Sequence, residues 1–355
     1  MKLAYLAFVL DQETFDRVGI RQKLNPAGQN FHLKLAKAIS SKHQVEVFAF
    51  FGEREESVQA SESLSFHYLP RVGKRQQIAL LKDKLKGFDA ILFDALSPIA
   101  AFASIKSKVP CLAIATDAPF NISHVNFIYK KAALYLGRKA DAYLSLTEGL
   151  NRLFNKKGKP SFIFPGIIED EEVQPKALNK PYLYFDGALF ERYGVGELVR
   201  AYKKFKPAYD LIIAGHGDMD GELQKEEGIT YLGQIGKSEN YRYVKGSTLS
   251  INPRPFEKNL DPYCVPSKLL EYFVFALHVA TTISTPLAEY CFASATILQP
   301  KPNDPTGIYN FFQTHIGVGG KLIKLKENNA KEMLIERYSP QKIAQGVDLL
   351  LGRLK

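Results

Sequence analysis

Residues 249–282 read LSINPRPFEKNLDPYCVPSKLLEYFVFALHVATT. The apolar run that ends at Ile251 predicts a buried strand, and Pro253 and Pro255 stop it because proline lacks the amide hydrogen that a strand ladder requires. A polar loop follows, and beyond Ser267 apolar residues recur at helical spacing before a second apolar run begins. This succession of strand, loop, helix and strand indicates an α/β unit, and we expect the active-site core to lie in it.

The start of that helix predicts an anion site. Pro266 and Ser267 stand at the expected N-terminus, where backbone N–H groups without helical partners and the positive end of the helix dipole face the loop. Arg254 and Lys268 add formal positive charge, and Glu271 lies one turn further along the same face. A phosphate beside a hydroxyl-rich group would fit these side chains. The alternative is a strand, loop and helix of structural value only.

The rest of the chain alternates between strand and helix patterns, which predicts a doubly wound α/β fold. In the first half, short apolar runs typical of strands buried on both faces of a parallel sheet occupy residues 3–9, 45–51, 90–93, 111–115 and 142–146. Helical patterns lie between them at 31–40, 76–86, 98–106, 122–136 and 148–155. In the second half we expect strands at 182–185, 211–214, 229–232 and 295–298, and helices at 197–205, 238–244, 286–292, 304–314 (on the surface) and 339–351.

The stretch 249–282 resembles the sugar-nucleotide loop of retaining glycosyltransferases with the GT-B fold, in particular a subgroup that builds bacterial polysaccharides. The resemblance rests on Asn252-Pro253-Arg254 and on the run PSKLLEY that begins at Pro266. It implies two Rossmann-like domains facing a cleft, in agreement with a length that exceeds one ordinary core. We expect an acceptor domain at 1–170, a nucleotide-sugar donor domain at 171–335, and a C-terminal helix at 336–355 that crosses back onto the first domain. Prolines and an acidic run between 164 and 181 mark the linker.

The resemblance also implies roles in the donor domain. Arg254 and Lys268 would stabilise the leaving diphosphate as catalytic residues, with Ser267 beside them, and Glu271 would bind the ribose. The family usually has charged residues at the places of Ala188 and Tyr193, so Arg192 is the candidate substitute; a structural Arg192 on a solvated turn is the alternative. The remaining donor candidates are Asp261 and Tyr263 for the sugar, and Gln234 and Ile235 for the base, although a simple loop explains the last two equally well.

Three residues of the first half are candidates for the acceptor side of the cleft. Gly28 lies in the loop after the first strand, where a plain connection is the alternative. Asp117 follows the strand CLAIA at the end where open α/β sheets bind ligands. As a catalytic candidate it would accept a hydrogen bond from an acceptor hydroxyl or stabilise developing positive charge, and capping the next helix is the alternative. Thr116 stands where many relatives have histidine. His124 is a helix residue that would reach the cleft or stay structural.

The charge distribution and the cysteine content indicate which partners and which compartment suit the protein. Residues 1–170 carry 24 lysines and arginines against 16 acidic residues, whereas 171–355 carry 23 against 21. The basic first half indicates contact with an anionic membrane surface or an anionic acceptor, or it is only a soluble basic face. No nucleic-acid motif accompanies the charge. Three distant cysteines suit a reducing cytoplasm, and no apolar run approaches the roughly 20 residues of a membrane span.

We therefore expect a glycosyltransferase that moves a sugar from a nucleoside-diphosphate donor, UDP-linked by analogy with the family, to a hydroxyl of a glycan or lipid-linked acceptor in cell-surface polysaccharide synthesis. The chain shows no HEXXH or clustered carboxylate set, so the expected reaction needs no metal and no cofactor besides the donor. Retention of stereochemistry is implied by the resemblance alone. The expected location is the cytoplasm, with peripheral contact at the inner face of the membrane. The alternatives are a non-catalytic nucleotide-sugar-binding subunit and a GT-B sugar-nucleotide epimerase.

Overall fold

The computed structural model describes residues 1–18, 26–122 and 125–354, with Pro26 described by its backbone only. The chain divides into two compact units. The first comprises Met1–Glu169, Pro262–Cys264 and Arg337–Lys355, and the second comprises Asp170–Asp261 and Val265–Glu336.

The first unit contains a sheet of eight strands. These are β1 (Lys2–Leu6), β2 (Gln44–Phe50), β3 (Glu56–Ser61), β4 (Leu64–Leu69), β5 (Ala90–Asp94), β6 (Cys111–Ala115), β7 (Ala142–Ser145) and β8 (Ser161–Ile163). Their spatial order is β3-β4-β2-β1-β5-β6-β7-β8, and every neighbouring pair is parallel except β3 with β4. The helices are α1 (Gln12–Val18), α2 (Pro26–Ser40), α3 (Lys74–Lys84), α4 (Pro98–Ser107), α5 (Phe127–Gly137) and α6 (Glu148–Phe154).

Both faces of this sheet are covered, as the doubly wound prediction requires. Successive side chains of a strand point to opposite faces, so Leu3 and Tyr5 join one hydrophobic core while Ala4 and Leu6 join the other. Helix α2 packs into the core of Leu3, and helices α3, α4 and α6 pack into the core of Leu6.

Two local expectations for this unit were wrong, and the hairpin β3–β4 was not predicted. The edge strand β3 is exposed along almost its whole length and so lacks an apolar pattern, whereas β4 does have buried residues at alternate positions. Helix α2 begins at Pro26 instead of residue 31, so Gly28 lies in its first turn. The helix expected at 122–136 begins at Phe127, because the side chain of Asn126 accepts a hydrogen bond from the Tyr129 amide at 2.9 Å and caps it.

The second unit contains a sheet of six parallel strands. These are β9 (Tyr182–Ala188), β10 (Asp210–His216), β11 (Ile229–Tyr231), β12 (Leu249–Asn252), β13 (Val279–Thr281) and β14 (Thr296–Ile297), in the spatial order β11-β10-β9-β12-β13-β14. The helices are α7 (Val195–Phe205), α8 (Asp220–Leu223), α9 (Lys237–Gly246), α10 (Ser267–Phe275), α11 (Ala288–Ser294), α12 (Ile308–His315) and α13 (Ala330–Tyr338), of which the last two residues of α13 belong to the first unit.

One expectation for the second unit needs correction. The helix predicted on the surface at 304–314 begins only at Ile308, and its residues Ile308, Phe311 and Phe312 are buried in the core. The final helix, α14 (Pro340–Gly352), belongs to the first unit, where Ile343 and Val347 pack into the same core as Leu3. Within the described ranges no helix is both long enough and apolar enough to cross a bilayer.

Candidate functional site

The sheet of the second unit has a point where the strand order reverses. After β9 the chain first adds β10 on one side and later places β12 on the other. In open parallel sheets, ligands bind at such a point, outside the carboxyl ends of the two strands. Here those ends carry Asp186-Gly187-Ala188 on β9 and Asn252-Pro253-Arg254 on β12. This edge of the sheet therefore carries Arg254, which is a candidate from the sequence, together with Asp186, which is not.

Lys268 reaches this edge from the first turn of α10. Its Nζ lies 4.0 Å from the centroid of the Phe185 ring, and a Cβ on Gly187, where φ is +130°, would lie only 3.0 Å from the same Nζ. Gly215 on the neighbouring strand is tighter still, because its Cβ would lie 1.8 Å from the carbonyl oxygen of Gly187. Gly187 therefore leaves room for the amine of Lys268, and Gly215 leaves room for the backbone of Gly187.

The charge of Lys268 is held in an environment that weakens its proton affinity. Burial lowers its pKa to about 8, Arg254 lowers it as a like charge, and Asp186 opposes both. The amine is therefore still mainly protonated at neutral pH, yet it has lost much of its hydration. A bound anion would replace the hydration that burial removed, which suits an anion-binding site.

Asp186 is the residue that the sequence analysis missed. It is buried at the end of β9, its amide donates to the hydroxyl of Tyr272 at 3.0 Å, and its Oδ2 accepts from the Asn240 side chain at 3.2 Å. Its Oδ1 is buried without a hydrogen-bond partner among the described residues. Burial raises the pKa of Asp186, and Lys268 opposes that rise. The available signal was an aspartate ending the apolar strand YLYF, at the edge where ligands bind.

Glu271 is oriented from α9, the helix that packs beside α10. Its Oε2 accepts from the Asn240 side chain at 3.3 Å, and its Oε1 accepts from the hydroxyl of Tyr241 at 3.4 Å. Asn240 in turn accepts from the hydroxyl of Tyr184 at 2.6 Å. Asn240 thus joins the half-buried carboxylate of Glu271 and the buried carboxylate of Asp186 in one network. Such a network holds acceptor groups in fixed positions.

Tyr193 stands between two arginines. The guanidinium of Arg192 lies 4.9 Å from the centroid of its ring and that of Arg254 lies 5.2 Å from it, and Arg192 also donates to its hydroxyl at 3.2 Å. The next residue, Gly194, has a φ of +80°, and a Cβ there would lie 2.2 Å from the carbonyl oxygen of Pro253. The turn after β9 is therefore closely packed on the loop that carries Arg254.

The other donor candidates are more dispersed. Asp261 Oδ2 accepts from the Thr285 amide at 2.8 Å, within the second unit. Tyr263 belongs to the first unit, where its ring meets that of Phe120 edge-on with centroids 5.2 Å apart. Gln234 is exposed and Ile235 half-buried in the loop after β11, and Ser267 is exposed at the start of α10. Within the second unit, the described contacts bring together Lys268, Arg254 and Arg192 around the ends of β9 and β12, with Glu271 joined to them through Asn240.

In the first unit, Asp117 lies just beyond the carboxyl end of β6. Its Oδ1 accepts two hydrogen bonds at 2.7 Å, from the Ala118 amide and from the Asn121 side chain. These two bonds stabilise the short 3₁₀ turn Pro119–Asn121, whose N-cap is Ala118. Gly28 lies in a helical turn instead of a loop. His124 lies outside the described residues.

The strand order of the first unit reverses between β1 and β5, and sequence reasoning passed over the polar residues there. His32 is buried on α2, and its Nδ1 lies 2.8 Å from the hydroxyl of Tyr5. Burial lowers the pKa of His32 and raises the pKa of Asp94 at the end of β5, while each charge counteracts the shift of the other. Asp94 could have been noticed from its place after the apolar run AILF.

The described residues contain no group of three or more histidine, cysteine, aspartate or glutamate side chains arranged to hold a metal ion. The positive groups at this site belong to Lys268, Arg254 and Arg192. The arrangement suits recognition of an anion with a polar neighbour.

Comparison with known proteins gives the fold. No protein-family model and no curated protein matches the chain. Among solved structures, sucrose-phosphate synthase from Thermosynechococcus elongatus is 13% identical with a TM-score of 0.69, covering 100% of this chain and 99% of its own. Anabaena HepE, solved in complex with UDP-glucose, is 13% identical with a TM-score of 0.67 and coverages of 99% and 100%. The lipopolysaccharide outer core galactosyltransferase WaaB is 14% identical, with a TM-score of 0.61 and coverages of 99% and 99%. The chain therefore has two parallel-sheet, Rossmann-like units of the kind found in GT-B glycosyltransferases.

Proposed function

We propose that the protein is a glycosyltransferase that moves a sugar from a nucleoside-diphosphate donor to a hydroxyl group. One observation carries this proposal: the partly desolvated amine of Lys268 meets Arg254 and the N-terminus of α10 at the strand-order reversal of the second unit. Three sources of positive potential at one sheet edge suit a diphosphate better than any neutral ligand.

In the proposed reaction, the bond between the anomeric carbon and the diphosphate oxygen breaks, and a bond from that carbon to the acceptor oxygen forms. The proton of the acceptor hydroxyl passes to an oxygen of the leaving diphosphate. Most of the new negative charge develops on the nucleoside diphosphate, so Lys268 and Arg254 would lower the barrier by stabilising the leaving group. Asp117 is the proposed acceptor-side group. Retention of configuration remains part of the proposal.

The rest of the donor is assigned to neighbouring groups. Glu271 would accept hydrogen bonds from the ribose, because Asn240 and Tyr241 already fix both of its oxygens. Ser267 would hold the diphosphate, Gln234 and Ile235 would frame the base, and Asp261 and Tyr263 would contact the sugar. Uridine is the proposed base, supported by the UDP and UDP-glucose complexes of the structurally similar HepE.

The proposed acceptor is a glycan or a lipid-linked sugar used in cell-surface polysaccharide synthesis, at the inner face of the membrane. The support is the excess of basic residues in 1–170. An anionic or membrane-bound acceptor would be attracted to such a surface.

A second candidate, a nucleotide-sugar-binding subunit without catalysis, is favoured by one observation. Ala188 and Tyr193 stand where similar enzymes have charged residues, and Tyr193 carries two arginines on its ring instead of supplying a charge. A subunit of this kind would bind the donor without releasing nucleotide.

The test is nucleotide release from a panel of nucleotide sugars, with and without a membrane extract as acceptor source, accompanied by direct binding measurements. We expect release with at least one donor and loss of release in Lys268→Ala. Lys245→Ala, which removes an exposed lysine from α9, is the matched control and should keep full activity. Binding without release would favour the second candidate. Neither binding nor release with any donor would refute both.

A further inference from the structure

Helix α5 of the first unit exposes a stripe that alternates between aromatic and basic side chains. Phe127 and Tyr135 are 67% and 62% exposed, and Ile128 beside them is 77% exposed. Lys131 and Lys139 are also exposed. Residues 127, 131 and 135 follow one another at intervals of four and so lie along one side of the helix, and Lys139 follows in the turn just after the helix ends at Gly137. Exposing two large aromatic rings and an isoleucine to water on one face is unfavourable, and such a patch is typical of an interaction surface.

The lysines are held against these rings. Lys131 Nζ lies 4.4 Å from the centroid of Phe127, and Lys139 Nζ lies 4.2 Å from the centroid of Tyr135. The same pairing recurs on α4, where Lys106 Nζ lies 5.8 Å from the centroid of the exposed Phe102. Each pair presents an apolar ring with a positive charge directly beside it.

Helices α4 and α5 pack side by side, and both contribute to the same face of the sheet, above the core that contains Leu6. Their outer sides therefore belong to one surface. Neither helix contains an aspartate or a glutamate, and a further exposed lysine, Lys108, ends α4. This surface, Phe102–Lys108 with Phe127–Lys139, is called the aromatic-basic face below.

We infer that the aromatic-basic face docks on an anionic lipid bilayer. Aromatic rings prefer the boundary between headgroups and acyl chains, and lysines beside them meet the negative headgroups while their methylene stems stay apolar. The absence of acidic residues from both helices removes the repulsion that an anionic surface would otherwise meet. The inference rests on the proposed function in one respect, because it identifies the surface through which the transferase would meet a membrane-bound acceptor.

A second copy of this chain fits the face less well. A symmetric pairing would bring the same surfaces together, so the lysines of one copy would face those of the other without a carboxylate from either helix between them. Charge complementarity therefore favours an acidic partner. The exposed rings favour a partner that also has an apolar layer beneath its charged surface.

The experiment is co-sedimentation of the full chain with vesicles of phosphatidylcholine alone or with about one-third phosphatidylglycerol. We expect binding to the anionic vesicles only. Lys131→Glu with Lys139→Glu should weaken it by at least 25-fold, because each lysine near an anionic surface contributes about a fivefold factor. Phe127→Ser with Ile128→Ser should weaken it at least tenfold.

Two controls separate this inference from general charge and from the proposed reaction. Lys156→Glu with Lys157→Glu changes the charge equally in an exposed turn without aromatic residues and should leave most of the binding. Lys268→Ala should lose nucleotide release but keep vesicle binding, whereas the α5 variants should keep nucleotide release with soluble donor.

The inference is overturned if the wild-type protein does not bind anionic vesicles. This includes the case in which the protein elutes as a dimer that the α5 variants disrupt. It is also overturned if the Lys156 and Lys157 variant loses as much binding as the α5 variants. Neither result affects the proposed transfer reaction, which is measured separately by nucleotide release.

Discussion

The protonation of Lys268 should control donor affinity between pH 7 and pH 9. Burial beside Phe185 and the like charge of Arg254 bring its pKa down to about 8 in the free site. A lysine with this pKa is about nine-tenths protonated at pH 7 and about one-tenth protonated at pH 9. A diphosphate binds the protonated form, so the dissociation constant should rise about tenfold across this range.

The measurement is calorimetric titration of UDP-glucose, or of whichever donor the panel identifies, at pH 7, 8 and 9 and at constant ionic strength. The sign follows from the lowered pKa: binding restores the proton that burial disfavours, so affinity is lost as the pH rises through about 8. Lys268→Arg is the control, because arginine stays charged and the titration should become flat. A wild-type dissociation constant that is equal at pH 7 and pH 9, or a tenfold rise that persists in Lys268→Arg, would refute this role for the amine.

Three further predictions concern the groups around that amine. Asp186→Asn removes the carboxylate that raises the pKa of the lysine, so the midpoint of the pH-dependent affinity should move below about 8; a midpoint that stays or rises contradicts the assignment. Gly194→Ala should lower the free energy of unfolding by about 2–4 kcal/mol in urea titrations, because its φ is +80° and the new Cβ would lie 2.2 Å from a backbone oxygen. Gly158→Ala, with a φ of +62° but no atom within 4 Å, should lose only about 1 kcal/mol, and equal losses would exclude the steric contribution. Tyr193→Ala should weaken donor binding about 3- to 30-fold by removing the ring that holds both guanidiniums, whereas Tyr193→Phe should stay within about twofold; equal effects would show that the hydroxyl, not the ring, matters.

The sequence alone determined the local elements and the class of fold. Prolines after Ile251 and the helical spacing after Ser267 predicted a strand end and a helix start, and the structure has β12 end at Asn252 and α10 begin at Ser267. Alternating strand and helix patterns predicted doubly wound sheets, which is confirmed. These elements can be predicted because the apolar side chains that are shielded from water recur with the period of the helix or strand that carries them. Where the segment was exposed, as in β3, the signal was absent.

Only the tertiary structure decided which strand ends became neighbours. The pattern of 182–185 contains nothing that pairs Asp186 with Lys268, because the two residues meet through the parallel order β10-β9-β12 and the packing of α10 on that edge. The same holds for Tyr193 and its two arginines, and for Tyr263, which the family resemblance assigned to the donor sugar but which belongs to the first unit. Contacts between residues far apart in sequence depend on strand order and close packing, and a lowered lysine pKa depends on the burial that both of them create.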